Sequence, residues 1–332
     1  MTPLERQVLD AIDVEGMLSF LCRLIGVPSL GGQESEAQQL VAEQMERSGL
    51  QVDLWEIDLE ALRENPAHSE EVIRSEALGV VGTLAGSGDS RSLVFNGHVD
   101  VVPVGDAGKW TYPPWEGTLA DGRVYGRGSV DMKGGLCCAL FAARALRDAG
   151  IELAGSLRIH SVVGEEDGGT GTLAAIERGH RGEGAIIMEP TNLSLVPTQA
   201  GALSFRLSVP GRAAHGSMRQ AGVNPLDKLM PLLGALRQLE ADRNTDVDHP
   251  MLVDYPLPSP ISIGKVRSGN WASSVPEDLV CEGRFGVAVG EDLPGARQQF
   301  ETAVAGAAAR DPWLAEHPPT VEWWGGEFAS CE

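Results

Sequence analysis

A two-domain α/β fold is what this chain predicts, and three features carry the expectation. Short runs rich in Val, Ile and Leu alternate with helical stretches up to Thr198, and a strand-helix-strand-strand-helix set follows. The 332 residues, 42% of them hydrophobic, can also bury two cores. Residues 1–198 therefore read as a mixed, mostly parallel sheet covered by helices. Residues 199–314 read as a small two-layer α+β domain, and residues 315–332 as a strand returning to the first domain.

Taken in order, residues 34–48 put Ala37, Leu40, Val41 and Met45 on one helical face, with Gly49 placed to end the helix. Residues 51–55, 77–84, 93–96, 156–163 and 185–188 predict strands, with a helix over 135–148. Beyond Thr198, strands are expected at 202–209, 261–266 and 279–289, and helices at 224–243, opening at Pro225, and at 294–310. Val321-Glu322-Trp323-Trp324 predicts the final strand, while Tyr255-Pro256-Leu257-Pro258-Ser259-Pro260 is a stiff loop.

A net charge of −21 repels nucleic acid and anionic lipid, so neither is an expected partner. The opening Met1-Thr2-Pro3-Leu4-Glu5-Arg6 lacks the features of a secretory signal, and no apolar run is long enough to cross a bilayer. A soluble cytoplasmic protein is the expectation. Cys22, Cys137, Cys138, Cys281 and Cys331 are odd in number and fit no zinc-cluster spacing, so they read as reduced thiols.

Four short signatures hold the candidate chemistry. They are Gly97-His98-Val99-Asp100, the glycine-rich stretch from Gly126 through Asp131 to Gly135, Gly164-Glu165-Glu166-Asp167-Gly168-Gly169, and Met188-Glu189-Pro190-Thr191. Each sets a metal-competent side chain at the end of an expected strand, where α/β folds assemble their chemistry. Alternate residues of a strand share a face, so Asp100 can support His98 from behind, fixing its tautomer and raising its basicity. Alone, that pair is more often an ordinary strand end than a metal site. The glycines around Asp131 suit a carboxylate held at a strand-to-helix turn, whereas the rival phosphate loop lacks its third glycine and any Walker pattern. Glu165 and Glu166 are consecutive and point to opposite sides of an extended segment, so one can bind a metal while the other accepts a proton. A solvated turn is their plain alternative. Glu189 precedes Pro190 and is biased toward extended backbone. Jointly the four signatures read as a hydrolytic metal centre.

This joint pattern resembles the co-catalytic zinc family that includes acetylornithine deacetylase, succinyl-diaminopimelate desuccinylase, aminoacylase and glutamate carboxypeptidase. The resemblance runs from near Ser29 to the C-terminus and is most specific at the four signatures. It implies a zinc-hydrolase domain interrupted by a ferredoxin-like α+β lid that also dimerises. It further implies that His98 and Glu189 hold one metal, that Glu166 sits on the other, and that Asp131 bridges both. Glu165 is then the general base and Asp100 the support of the histidine. His215, in Gly211-Arg212-Ala213-Ala214-His215-Gly216, is implied to steady the oxyanion in the active site of a partner subunit, and Asn224 to cap a helix. The implied cofactors are two Zn2+ or Co2+ ions, the substrate a small N-acyl amino acid or peptide, and the assembly a homodimer through the lid. Amide hydrolysis of the deacetylase or deacylase type is the implied reaction. A metallo-carboxypeptidase or dipeptidase on the same scaffold, and a non-catalytic dimerising remnant, are the alternatives.

Three departures modify these expectations. Ser273 stands where the family often has Asn, three residues before Pro276. Arg284 lies closer to Pro276 than the usual carboxylate-binding arginine, although its planar fork suits a substrate carboxylate. The family also continues past the strand matched by residues 321–324 and adds a histidine beside Glu166, a context in which His68, His160, His180, His249 and His317 do not stand. The expectation is a truncated or frameshifted member that holds one zinc firmly and the second weakly, with low activity and an unpaired apolar sheet edge.

Overall fold

Apolar side chains spaced three and four apart build the helices of the first part of the chain, and β-branched runs build its sheet. The computed structural model describes residues 1–88, 90–245 and 247–332, which divide into Met1–Ser194 and Leu195–Glu332. In chain order the first unit has α1 (Pro3–Asp10), α2 (Val14–Ile25), α3 (Ser35–Arg47), β1 (Gln51–Glu56), α4 (Leu59–Arg63), β2 (Leu78–Leu84) and β3 (Leu93–His98). The hairpin β4 (Thr118–Ala120) and β5 (Arg123–Tyr125), α5 (Lys133–Asp148), β6 (Leu157–Val162), α6 (Thr170–Glu177) and β7 (Gly184–Ile187) follow. Leu24 and Ile25 of α2, Val41 and Met45 of α3 and Leu136 and Leu140 of α5 are fully buried in one core with Ile159 of β6. Among the described residues no helix is long and apolar enough to cross a membrane.

Five strands join in the order β1-β2-β6-β3-β7. β3 runs parallel to β6 and β7, whereas β1–β2 and β2–β6 are antiparallel. The sheet is mixed, with the two kinds of pairing in equal number rather than mostly parallel. Burial explains the difference: residues 79–82 of β2 are buried on both faces, and a strand covered on both sides reads as one apolar run whichever way it points. β7 ends the sheet, pairs with β3 alone among the described residues, and leaves Ile186 and Ile187 exposed. An unpaired apolar edge is therefore present.

The second unit has β8 (Gly201–Pro210), β9 (Ala214–His215), α7 (Pro225–Arg243), β10 (Ile261–Ser268), β11 (Ser274–Val275), β12 (Asp278–Val287), α8 (Leu293–Ala308), α9 (Pro312–Glu316) and β13 (Thr320–Phe328). Its main sheet is antiparallel in the order β10-β12-β8-β13, so β8, α7, β10, β12, α8 and β13 form the βαββαβ arrangement of a ferredoxin-like domain. The expected return of residues 321–324 to the first domain is corrected here. β13 lies beside β8 in this second sheet, with Trp323 opposite Phe205. The physical reason is the pattern of β8, which alternates buried Leu203, Phe205, Leu207 and Val209 with half-buried Ser204, Arg206 and Ser208. Such a central strand takes a partner on each edge. Trp323 then closes the core against Phe300, with ring centroids 5.3 Å apart.

Candidate metal centre

Parallel strands bring the candidate side chains to one end of the first sheet. β3 ends on His98, β7 stops just before Glu189, and β6 leads into the turn that carries Glu165 and Glu166. Crevices at the carboxyl ends of such strands are where α/β chemistry gathers. Asp131 arrives from the turn before α5, and its peptide to Met132 is cis. Gly135 lets α5 approach the end of β7, because a Cβ there would come within 2.4 Å of the Met188 carbonyl oxygen. Lys133 anchors the start of α5 from inside: its buried Nζ donates to the carbonyls of Leu24 at 2.9 Å and Val27 at 3.0 Å. Burial lowers the Lys133 pKa to about 8.

His98 is fully buried, and its Nε2 lies 3.1 Å from Asp131 Oδ1, 3.8 Å from Glu189 Oε1 and 3.9 Å from Glu165 Oε2. Two overlapping sets result, His98–Glu165–Glu189 and His98–Asp131–Glu166, each with ligand atoms within 4.8 Å of one another. All five groups expected around a metal are thus brought together. Glu165 and Glu166 fall in different sets, as consecutive residues facing opposite sides should.

Asp100 supports this arrangement in a way the sequence reading did not foresee. Nδ1 of His98 lies 2.8 Å from the backbone carbonyl of Asp100 and 3.7 Å from its carboxylate. A carbonyl can only accept, so Nδ1 carries a proton and Nε2 is the nitrogen that faces the carboxylates. The Asp100 carboxylate instead accepts the amides of Glu165 at 3.2 Å and Glu166 at 3.0 Å. β3 ends at His98, so the alternation that would have set the Asp100 side chain behind the ring stops there.

Electrostatics make the cluster costly without a cation. Burial would lower the His98 pKa, but the carboxylates of Asp100, Glu165 and Glu189 outweigh it and raise the value. Burial, followed by the nearby Asp131 charge, pushes Glu166 up to about 7. Glu189 also rises to about 7, chiefly by burial and then by Glu165 and Asp131, against the opposing pull of His98. Glu189 Oε1 is buried with no hydrogen-bond donor among the described residues. Asp131, Glu166 and Glu189 form no ion pair with lysine or arginine among those residues either. An orphaned buried carboxylate oxygen, beside one imidazole nitrogen and several more carboxylate oxygens, fits a divalent cation.

The remaining candidates lie in the second unit. β9 pairs His215 with Ser274 of β11, and the Gly216 amide donates to the Ser273 carbonyl at 2.7 Å, so His215 and Ser273 lie on neighbouring paired segments. His215 Nδ1 lies 2.8 Å from Ser217 Oγ, and its ring meets Trp271 edge-on at 5.8 Å. Arg284 is exposed on β12, in register between Ser262 and Ser204. Asn224 caps α7 by accepting the Leu226 amide, as expected. Sequence reading missed Lys133 and Arg74. Lys133 falls on the buried stripe of α5 with Leu136, Cys137 and Leu140, and a lysine on an apolar face was the available signal. Arg74 sits in an irregular stretch that offers no periodicity to read.

Known proteins are similar to this chain in sequence and in fold. The chain is 28% identical over 326 residues to N-formyl-4-amino-5-aminomethyl-2-methylpyrimidine deformylase of Halalkalibacterium halodurans, covering 94% of this chain and 72% of that protein. It is 34% identical over 239 residues to succinyl-diaminopimelate desuccinylase of Methylorubrum extorquens, covering 67% of this chain and 57% of that protein. It thus spans little more than half of the latter relative's length. The structure of a di-peptidase from Saccharomyces cerevisiae matches with a TM-score of 0.76 over 99% of this chain and 81% of that one, at 15% identity, which shows a common fold. The sequence profile of peptidase family M20/M25/M40 matches residues 94–325, a stretch that holds all five clustered groups and most of the second sheet. On that match the chain belongs to peptidase family M20/M25/M40.

Proposed function

We propose that this chain carries a metal-dependent amidohydrolase site that removes the acyl group from a small N-acyl amino acid or peptide. The convergence of His98, Asp131, Glu165, Glu166 and Glu189 at one sheet end carries the reading. His98, Asp131 and Glu189 would hold one divalent cation, zinc or cobalt, and Asp131 and Glu166 the second. Three ligands against two make the first site the firmer. When bound, the cations supply Lewis acidity that acidifies a water and polarises the scissile carbonyl. Glu165 takes the water's proton and passes it to the leaving amine. Its side chain is 46% exposed while His98 is fully buried, so solvent reaches the base and not the ring.

Asp100 holds His98 through its carbonyl and the Glu165–Glu166 backbone through its carboxylate. In the second unit, His215 would serve as the oxyanion donor in the active site of a partner subunit, Ser273 lies beside the strand pair that carries it, and Arg284 offers a planar fork to a substrate carboxylate. The names of the deformylase and desuccinylase relatives favour a small acyl group. A homodimer would use the second unit, where α7 exposes Leu226 and Met230 and the edge strand β10 exposes Val266. The five free cysteines suit a reducing cytoplasm.

The test is turnover of N-acyl amino acids by the chain supplied with Zn2+ or Co2+, compared with Glu165→Ala. The expected result is a rate about 10²- to 10⁴-fold lower with metal content unchanged. Loss of a cation in that variant would make Glu165 a ligand, and undiminished turnover would remove it as the base.

A further inference from the structure

Behind Glu165 and Glu166 lies a buried ion triad that none of the chemistry above uses. The Arg74 side chain is fully buried, with Nη2 2.8 Å from Glu34 Oε1 and Nη1 2.8 Å from Asp167 Oδ2. Nη1 also donates to the Val72 carbonyl at 3.2 Å. Asp167 directly follows Glu166 in the chain. Its Oδ2 accepts the Val72 amide at 2.9 Å, and its backbone carbonyl accepts the Glu71 amide at 2.8 Å. Arg74 packs so closely under the turn that a Cβ on Gly164 would come within 2.8 Å of its Nη2.

The turn needs such an anchor. Gly164 and Gly168 have φ of 67° and 139°, a glycine-only path with little stiffness of its own. Glu165 and Glu166 leave it within reach of Asp131 and Glu189, and like charges drive the turn away from the cluster. The Asp100 carboxylate grips the turn by its two amides on one side. Arg74 grips it by Asp167 on the other.

We propose that Arg74 is a positioning residue which, backed by Glu34, pins Asp167 and so fixes the directions in which Glu165 and Glu166 project. The consequence for metal binding and turnover rests on the proposed function, but the pinning itself does not. A planar guanidinium can bond Glu34, Asp167 and a carbonyl at once, whereas an ammonium in the same space cannot keep that fork.

Arg74→Lys is the main variant, and Phe141→Leu, in the hydrophobic core of the first unit, is the comparator for simple loss of stability. Hydrogen–deuterium exchange is followed over residues 164–169 and, as reference, over β6. Arg74→Lys is expected to speed exchange of the turn about tenfold or more relative to β6. It should also weaken Co2+ binding by about 10- to 100-fold, alter the Co2+ absorption spectrum, and lower kcat with KM within about twofold. Phe141→Leu is expected to lower the melting temperature and leave the turn's exchange, the spectrum and the Co2+ affinity unchanged. Should Arg74→Lys fail to fold, Glu34→Gln carries the same comparison with a smaller effect. Turn exchange in the folded variant no faster than in Phe141→Leu overturns the inference. A wild-type chain that neither binds Co2+ nor cleaves amides would remove the proposed function instead, and the exchange result would still decide the pinning.

Discussion

Two buried imidazoles sit on adjacent strands of the first sheet and meet opposite surroundings. His98 on β3 and His160 on β6 lie in parallel register, with Asn96 beside His160 and His98 beside Val162, and both are buried. His98 faces carboxylates that raise its pKa against the pull of burial. His160 has an Nε2 with no hydrogen-bond partner among the described residues, and burial, helped by the charges of His180 and Arg158, lowers its pKa to about 4. Its neighbour His180 is turned toward Asp53, 2.8 Å from Nε2. Burial by itself makes an imidazole a neutral core group, and only converging carboxylates make it a ligand.

Replacing the ligand imidazole breaks this contrast most severely. His98→Ala removes the one side chain common to both clustered sets. At least one cation per chain should be lost, the one His98 holds, and kcat/KM should drop at least about 10³-fold, some 4 kcal/mol of transition-state stabilisation. Elemental analysis and turnover on the same preparation check it. A variant that keeps both cations would transfer the ligand role to the carboxylates alone.

Only part of this contrast can be read before the fold is known. The metal-side carboxylates could be picked out because glycine, proline and strand-end positions set Asp131, Glu165, Glu166 and Glu189 apart from ordinary surface acids. His160 sits within a run of Val, Ile and Ser that reads as any buried strand, so its inertness follows from neighbours that only the fold supplies. The same holds for Asp100, whose support of the site depends on the chain leaving β3 just after His98. Strand direction was illegible in β2 because both of its faces are covered. The partner of β13 is not legible in its own residues because a Trp-rich strand suits either sheet, and the demand for it comes from the alternation of β8. Arg74 carries no local signal because its carboxylate partners, Glu34 and Asp167, lie far from it in sequence.

Acidity sharpens the comparison at an intermediate scale. Glu166 and Glu189 have folded pKa values near 7, raised from an ordinary 4.5. Without metal, the folded chain keeps protons that the unfolded chain gives up between those values, so this contribution to stability is lost as pH rises through about 7. A cation needs those same carboxylates ionised. Apparent Co2+ affinity should therefore rise from pH 6 to pH 8, by up to about tenfold per unit for each proton displaced. The gain in melting temperature on adding Co2+ should be larger at pH 8 than at pH 6. Equal gains at both would mean that these carboxylates do not exchange protons for metal.

The smallest effect belongs to the inert imidazole. His160→Leu removes a buried nitrogen that has no hydrogen-bond partner among the described residues and should leave Co2+ affinity and turnover within about twofold of wild type. Because an unsatisfied buried polar group costs about 1–3 kcal/mol, the variant should be at least as stable as wild type at pH 7 wherever the leucine fits the space. The pH dependence distinguishes the two chains more cleanly. In wild type the folded pKa of about 4 lies below the ordinary 6.5. The unfolded chain therefore binds the extra proton, and stability falls as pH drops from 6.5 toward 4, by about 3 kcal/mol at 1.36 kcal/mol per unit. His160→Leu should lack that slope. Urea midpoints at pH 7 and pH 5 measure it, and a variant that loses metal would make the second imidazole a partner of the first.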